Sequence, residues 1–255
     1  MSPGKFSVEG KVTIVTGGGT GVGAGIAHTF AMAGAPVLIA SRKAGNLAQV
    51  RDRIRADGGV CVYQVCDVRD SAAVDEMVAA AVRHFGRLDV LINNHGASLR
   101  IPSLELSPNA WRAIVAVNLD GVFFCSRAAA RQFIAQKSPG SIINISSEAS
   151  LTGFAIYPPY AAAKAGVNNL TRTHSAEWAR NGIRVNCLVL GPIETPAWEL
   201  LLDEETKRRM ASTRALKRLG TPEEIAYPCI FLASEASSYI TGAVIEVGGG
   251  VDTTP

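Results

Sequence analysis

The chain has 255 residues, 47% of them hydrophobic and 18% charged, and 25 Lys and Arg against 22 Asp and Glu leave a net charge of +3. So apolar a chain is not disordered, and without a clustered basic stripe it is not expected to bind nucleic acid. No run reaches the roughly 18 uninterrupted apolar residues of a bilayer-spanning helix, and the opening Met-Ser-Pro-Gly-Lys-Phe-Ser lacks the apolar core of a signal peptide, so a cytoplasmic protein with no membrane partner is expected.

In chain order, residues 12–16 read as a buried strand, followed by a glycine-rich turn and a helical pattern with Ile26 and Phe30 four apart. A second strand is expected over 37–40 and a third over 60–65, after a charged helix that ends at Gly58-Gly59. An amphipathic helix over 71–85 stops at Gly86 and leads to a fourth strand at 89–92. Alanine-rich helices over about 108–136 and 159–180 precede strands five (141–146) and six (184–189). A helix over 222–233 precedes the seventh strand, 243–247. This alternation predicts an α/β fold, a doubly wound and mainly parallel sheet with helices on both faces. The strands are nearly continuous apolar runs, as a sheet covered on both sides requires. No linker divides the chain, so 1–255 is read as one domain, with a substrate flap at about 191–220 where a strandless, mixed-charge segment follows the sixth strand.

Five scattered cysteines read as buried thiols of a reducing compartment, with Cys61 and Cys66 on opposite faces of one strand. Neither they nor the four histidines have metal-ligand spacing, so no metal is expected.

Thr16-Gly17-Gly18-Gly19-Thr20-Gly21-Val22-Gly23 lies where the first strand hands over to the first helix. Glycines there let backbone N–H groups approach a pyrophosphate at a helix N-terminus. At the end of the second strand, where an NAD site usually places a carboxylate, stand Ser41, Arg42 and Lys43. Two cations and a hydroxyl suit a 2′-phosphate, so NADP(H) is favoured over NAD(H), which stays possible. Further on, Tyr160 and Lys164 share a helix face one turn apart, and Ser147 precedes Tyr160 by 13 positions.

The spacing of Gly17, Gly21 and Gly23, with Ser147, Tyr160 and Lys164, resembles the classical short-chain dehydrogenase/reductase family, and the resemblance runs essentially through the chain to Gly248-Gly249-Gly250. It implies a Rossmann fold and hydride transfer between a nicotinamide and a carbonyl or secondary alcohol, with Asn118, Ser147, Tyr160 and Lys164 as the catalytic set. Asn118 would anchor a proton-relaying water. Asp67 and Val68 would lie against adenine, Asn94 and Gly96 near the adenosine ribose, and Gly191, Ile193 and Thr195 beside the carboxamide. Gly19, Thr20 and Val22 complete the expected turn, and Lys164 would also hold the nicotinamide ribose. His95 stands where the family usually has alanine, and Leu190 where it usually has proline.

A free tyrosine ionises near pH 10. The Lys164 cation, with that of the oxidised nicotinamide, is expected to lower the phenol's pKa, while Ser147 orients the substrate oxygen. The flap residues Trp198, Leu200, Leu201 and Leu202 suit a lipophilic or acyl substrate, with Phe154 and Tyr157 at the pocket mouth; Arg100 is read as a surface charge, with an anion handle as the alternative. A 3-oxoacyl thioester is favoured. The alternatives are a hydroxysteroid or secondary alcohol, an enoyl-CoA (suggested by Ser41-Arg42-Lys43 and Glu177-Trp178-Ala179-Arg180) and a non-catalytic nucleotide sensor. The resemblance also implies a homotetramer or homodimer through the helices around Asn118 and Tyr160.

Overall fold

The computed structural model describes residues 3–195 and 202–252. All seven strands form where expected: β1 (Thr13–Thr16), β2 (Val37–Ser41), β3 (Cys61–Val65), β4 (Val90–Asn93), β5 (Gly140–Ser147), β6 (Ile183–Leu190) and β7 (Val244–Val247). They build one sheet in the order β3-β2-β1-β4-β5-β6-β7, with every pair parallel. The helices are α1 (Gly21–Met32), α2 (Ala44–Ala56), α3 (Ser71–Phe85), α4 (Pro108–Val115), α5 (Gly121–Ala135), α6 (Pro158–Trp178), α7 (Glu204–Ser212) and α8 (Pro222–Ala233).

Strand alternation divides the core into two layers. Val15, Ile39, Ile92 and Ile143 face α1, α2 and α8, where Ile26, Phe30, Leu47 and Ile225 are fully buried. Their strand neighbours Ile14, Leu38, Leu91 and Ile142 face the other way, onto Met77 of α3 and Phe133 of α5. Cys61 and Cys66 fall in opposite layers, and all five cysteines are buried and unpaired.

The segment read as one helix over 108–136 is interrupted. Ala116–Asp120 is a π-helical turn between α4 and α5. Its cause is Asn118, whose buried carboxamide competes for main-chain partners: Nδ2 donates to the Ile114 carbonyl at 2.9 Å and to the Ala97 carbonyl at 2.7 Å. The run Pro108–Ala135 is long and apolar enough by composition to cross a membrane, yet half of its most apolar window is buried in the protein.

The order reverses between β1 and β4, which opens a crevice at the C-terminal ends of the strands. Register brings Thr16, Ala40 and Asn93 level there. The flap leaves just beyond β6, and its neck is closed by a bridge between Ile193 and Gly220, with Glu194 N–H donating to the Gly220 carbonyl at 2.8 Å. Trp198, Leu200 and Leu201 lie outside the described residues.

Candidate active site

The glycine turn is shaped by close approach. Gly17 has a φ of +66°, which favours glycine. A Cβ on Gly23 would stand 2.3 Å from the Gly17 carbonyl oxygen and 2.4 Å from Asn94 Nδ2, so the start of α1 packs directly against the turn. Asn94 holds the turn itself, donating to the Thr16 and Gly17 carbonyls at 3.2 and 3.4 Å. Thr20 precedes α1 without a side-chain cap, leaving the helix's first N–H groups to an anion. This cradle fits a dinucleotide pyrophosphate.

Beside it lies a cleft of about 330 Å³ lined by Gly17, Gly19, Thr20, Ser41, Arg42, Lys43, Asp67, Val68 and Gly96, as the sequence implied. It is also lined by Ala40, Asn46, Cys66, His95 and Val117. Ala40 and Cys66 could have been found from strand-end register; Asn46 carries no sequence signal. Arg42 and Lys43 are exposed at its rim. Arg69 grips Asp67 through bonds of 3.0, 3.1 and 2.5 Å, and that contact, with a smaller contribution from Arg42, holds the carboxyl below its ordinary pKa. His95 sits on the floor with Nδ1 at 2.7 Å from Thr16 Oγ1. Burial, then the nearby Lys164, lowers its pKa to about 3, so it is neutral at physiological pH.

Not every expected cofactor residue lines this cleft. Val22 packs against the α1 side of the core and Ile193 is buried there. Gly191 backs onto Gly248, whose Cα would be 2.7 Å from a Cβ at Gly191. Thr195 reaches the glycine turn, its Cγ2 3.4 Å from where a Gly21 Cβ would stand.

The remaining groups converge at the ends of β4 and β5. Ser147 ends β5, accepts a bond from Ala149 N–H at 3.3 Å, and its hydroxyl lies near enough to the Tyr160 phenol to bear on its ionisation. Ser146 is buried and donates to the Lys164 carbonyl at 3.2 Å, a structural contact. Lys164, 3% exposed, donates from Nζ to the Ile145 carbonyl at 2.8 Å and lies 5.8 Å from the Tyr160 ring centroid. Gly96 leaves room for both helices: a Cβ there would be 3.0 Å from Asn118 Oδ1 and 3.7 Å from Lys164 Nζ. Beneath them, Asn93 donates to Asn144 at 2.8 Å and Asn144 to Thr171 at 2.9 Å, a buried chain from β4 through β5 to α6.

The electrostatics correct one expectation. Burial pushes the Tyr160 phenol above its ordinary pKa; the nearby Ser147 hydroxyl opposes this and Tyr157 adds to it. The protein's own groups therefore favour the neutral phenol, because desolvation of the phenolate outweighs the Ser147 hydroxyl. Burial also lowers Lys164 to about 8.

At the mouth, Phe154 and Tyr157 meet at 5.8 Å between ring centroids. Between them Ile156 adopts a φ of +63°, strained for a β-branched residue, and its carbonyl accepts the Ile101 N–H at 2.9 Å. Arg100 is exposed.

The family profile described as enoyl-(acyl carrier protein) reductase matches residues 17–252. The probable 2,4-dienoyl-CoA reductase (the (2E)-enoyl-CoA-producing type) of Bacillus subtilis is 41% identical over 247 residues, covering 95% of this chain and 97% of that protein. The 3-oxoacyl-[acyl-carrier-protein] reductase of Thermotoga maritima is 38% identical over 245 residues, covering 96% and 98%. A crystal structure from Agrobacterium tumefaciens with bound NADP superposes with a TM-score of 0.88 at 36% identity, covering 96% of this chain and 97% of that one.

Proposed function

This chain belongs to the short-chain dehydrogenase/reductase family of oxidoreductases, and we propose that it reduces a lipophilic ketone, a 3-oxoacyl thioester foremost, to the secondary alcohol with NADPH, or runs the reverse. The observation that carries this reading is the meeting of Ser147, Tyr160 and Lys164 at the end of β5. The glycine turn and α1 N-terminus would hold the dinucleotide, with Arg42 and Lys43 on its 2′-phosphate. Bound there, the reduced nicotinamide supplies the hydride.

A carbonyl accepting hydride develops negative charge on oxygen, which must receive a proton. Tyr160, kept neutral by burial, is poised as that acid, and the Ser147 hydroxyl beside it fixes the oxygen's position. Lys164 holds positive charge behind the phenol and would bind the nicotinamide ribose. Asn118, at the π-helical turn, would anchor the water that returns the proton from solvent.

The Bacillus subtilis relative and the family profile favour a second reading, reduction of a conjugated carbon–carbon double bond in an acyl-CoA. NADPH oxidation measured with acetoacetyl-CoA, an enoyl-CoA, a dienoyl-CoA, a steroid ketone and a simple ketone separates the two. Turnover of acetoacetyl-CoA is the expected result, and activity on the unsaturated thioesters alone would reverse the choice. NADPH binding with no turnover across the panel would favour the nucleotide sensor. A second copy is proposed to cover the groove of Leu119, Phe123, Phe124 and Leu170 between α5 and α6, giving a homodimer or homotetramer. A monomer in sizing chromatography at micromolar concentration would remove it.

A further inference from the structure

Glu148 and Arg214 lie 66 residues apart and form a two-pronged ion pair, with Arg214 Nη1 at 2.5 Å from one carboxylate oxygen and Nη2 at 3.0 Å from the other. It is far from a solvated surface pair: the side chains are 13% and 29% exposed for Arg214 and Glu148, and Arg214 Nε is buried with no hydrogen-bond partner among the described residues. A guanidinium so placed depends on the carboxylate for its compensation.

The two residues belong to different working parts. Glu148 directly follows Ser147 and opens the short turn Glu148–Ser150, which Ser147 caps and which Asn168 of α6 holds by donating to Ser150 at 2.8 Å. Arg214 lies in the returning limb of the flap, beyond α7 and ahead of the neck at Gly220. That limb is zipped to the C-terminal segment: Arg214 bridges Val251, Leu216 N–H donates to Gly249 at 3.1 Å, and Asp252 N–H donates to Thr213 at 3.0 Å. Near the zipper, Lys217 and Asp252 form a second ion pair. The Glu148–Arg214 pair is thus a side-chain tie between the flap's return limb and the turn bearing the serine.

We propose that the Glu148–Arg214 pair is a latch that sets the flap's return limb against the Ser147 turn, making both of them positioning residues for the substrate carbonyl. The kinetic part rests on the carbonyl-reductase reading above; the mechanical part does not. With the limb released, the turn that follows Ser147 loses its tie and the serine hydroxyl is set less firmly for the substrate oxygen, whereas the glycine turn and the cleft, which neither residue lines, are untouched. The effect therefore falls on substrate KM and leaves NADPH affinity alone.

The test uses the full-length protein with Glu148→Gln, Arg214→Gln and the double variant. Glu148→Gln keeps the shape and leaves an amide oxygen to accept from Arg214, and the Tm of each variant is read beside its kinetics so that loss of fold is told apart from loss of the latch. Each single variant is expected to raise the KM for the ketone substrate about tenfold, with kcat changed less than threefold and the NADPH Kd unchanged. The double variant is expected to be no worse than the poorer single one, since one interaction is lost once. Amide exchange supplies a readout free of substrate: Glu148→Gln should speed exchange in Glu204–Ser212 and Arg214→Gln should speed it in Glu148–Ser150. Additive KM effects, or exchange confined to the mutated side, would overturn the latch. If no ketone is turned over at all, the reading of the active site fails while the exchange result still decides the latch.

Discussion

The two ends of the crevice work by opposite means. At the end proposed for adenosine, recognition would be built from backbone and from solvated charge: a glycine turn packed on α1, an uncapped helix start, and Arg42 and Lys43 in water. At the end proposed for the nicotinamide, buried side chains would bear the chemistry, with Asn118 fully buried and Lys164 held to the Ile145 carbonyl of β5. An exposed cation is screened, while a buried one acts at low dielectric and must be compensated. The contrast teaches that cofactor choice at one end can be adjusted by small steps, whereas chemistry at the other should fail abruptly.

Tyr160→Phe is the severest trial of that contrast. It removes one oxygen and should lower kcat about 10²- to 10⁴-fold, the span of a lost general acid, with NADPH Kd unchanged by fluorescence titration. A variant retaining a tenth of wild-type turnover would break the assignment of Tyr160. Gly23→Ala tests the other end, where a Cβ must displace the Gly17 carbonyl or Asn94. Overpacking of this kind costs about 1–3 kcal/mol, and here it should appear both as a lowered Tm and as weakened NADPH binding. Unchanged affinity would mean that the turn does not receive the cofactor.

Much of this division was legible in the sequence. Short β-branched runs gave the seven strands, and α3 and α8 span the residues expected of them, α3 stopping at Gly86. The glycine turn was readable because its chemistry is local. The π-helical turn was not, since Ala-Val-Asn-Leu-Asp has ordinary helical composition and the break arises when Asn118 meets Ala97, 21 residues away. Nor was the Glu148–Arg214 pair, because nothing local in the chain marks two charges 66 positions apart as partners. The direction of the Tyr160 shift was misread for a related reason. Spacing reveals a neighbouring cation but not the burial that raises the phenol's pKa.

Lys164 sharpens the comparison through pH. Its pKa is lowered from 10.5 to about 8 by burial, so below pH 8 both folded and unfolded chains carry the proton and the fold bears the full charge-burial cost, about 3 kcal/mol. Between pH 8 and 10.5 the unfolded chain binds more protons, and stability rises with pH. Lys164→Met escapes that cost and loses the bond to Ile145, about 1 kcal/mol. It should therefore be inactive yet more stable than the parent at pH 7, by about 1–2 kcal/mol, with the advantage gone near pH 10.5. Urea titrations at pH 7 and pH 10 check this, and a variant less stable at both would show that the ammonium is better compensated than its burial implies.

The smallest effect belongs to the rim. Arg42 is exposed, so its pairing with a 2′-phosphate competes with water and with salt. A charge-assisted contact of this kind is worth about 1.5–3 kcal/mol before screening, and Arg42→Ala should raise the NADPH KM about tenfold while leaving kcat and the NADH KM nearly unchanged. The preference for NADPH proposed for the wild-type protein should shrink between low and physiological salt, because the attraction is screened over about 8–10 Å. Lys43→Ala should act in the same direction and more weakly, since an ammonium meets phosphate as a point charge whereas guanidinium offers a fork. Equal turnover of NADH and NADPH by the wild-type protein would break the comparison where it is softest: the two rim cations would then be solvated charge alone, and the adenosine end would recognise its ligand through the backbone and the cleft floor.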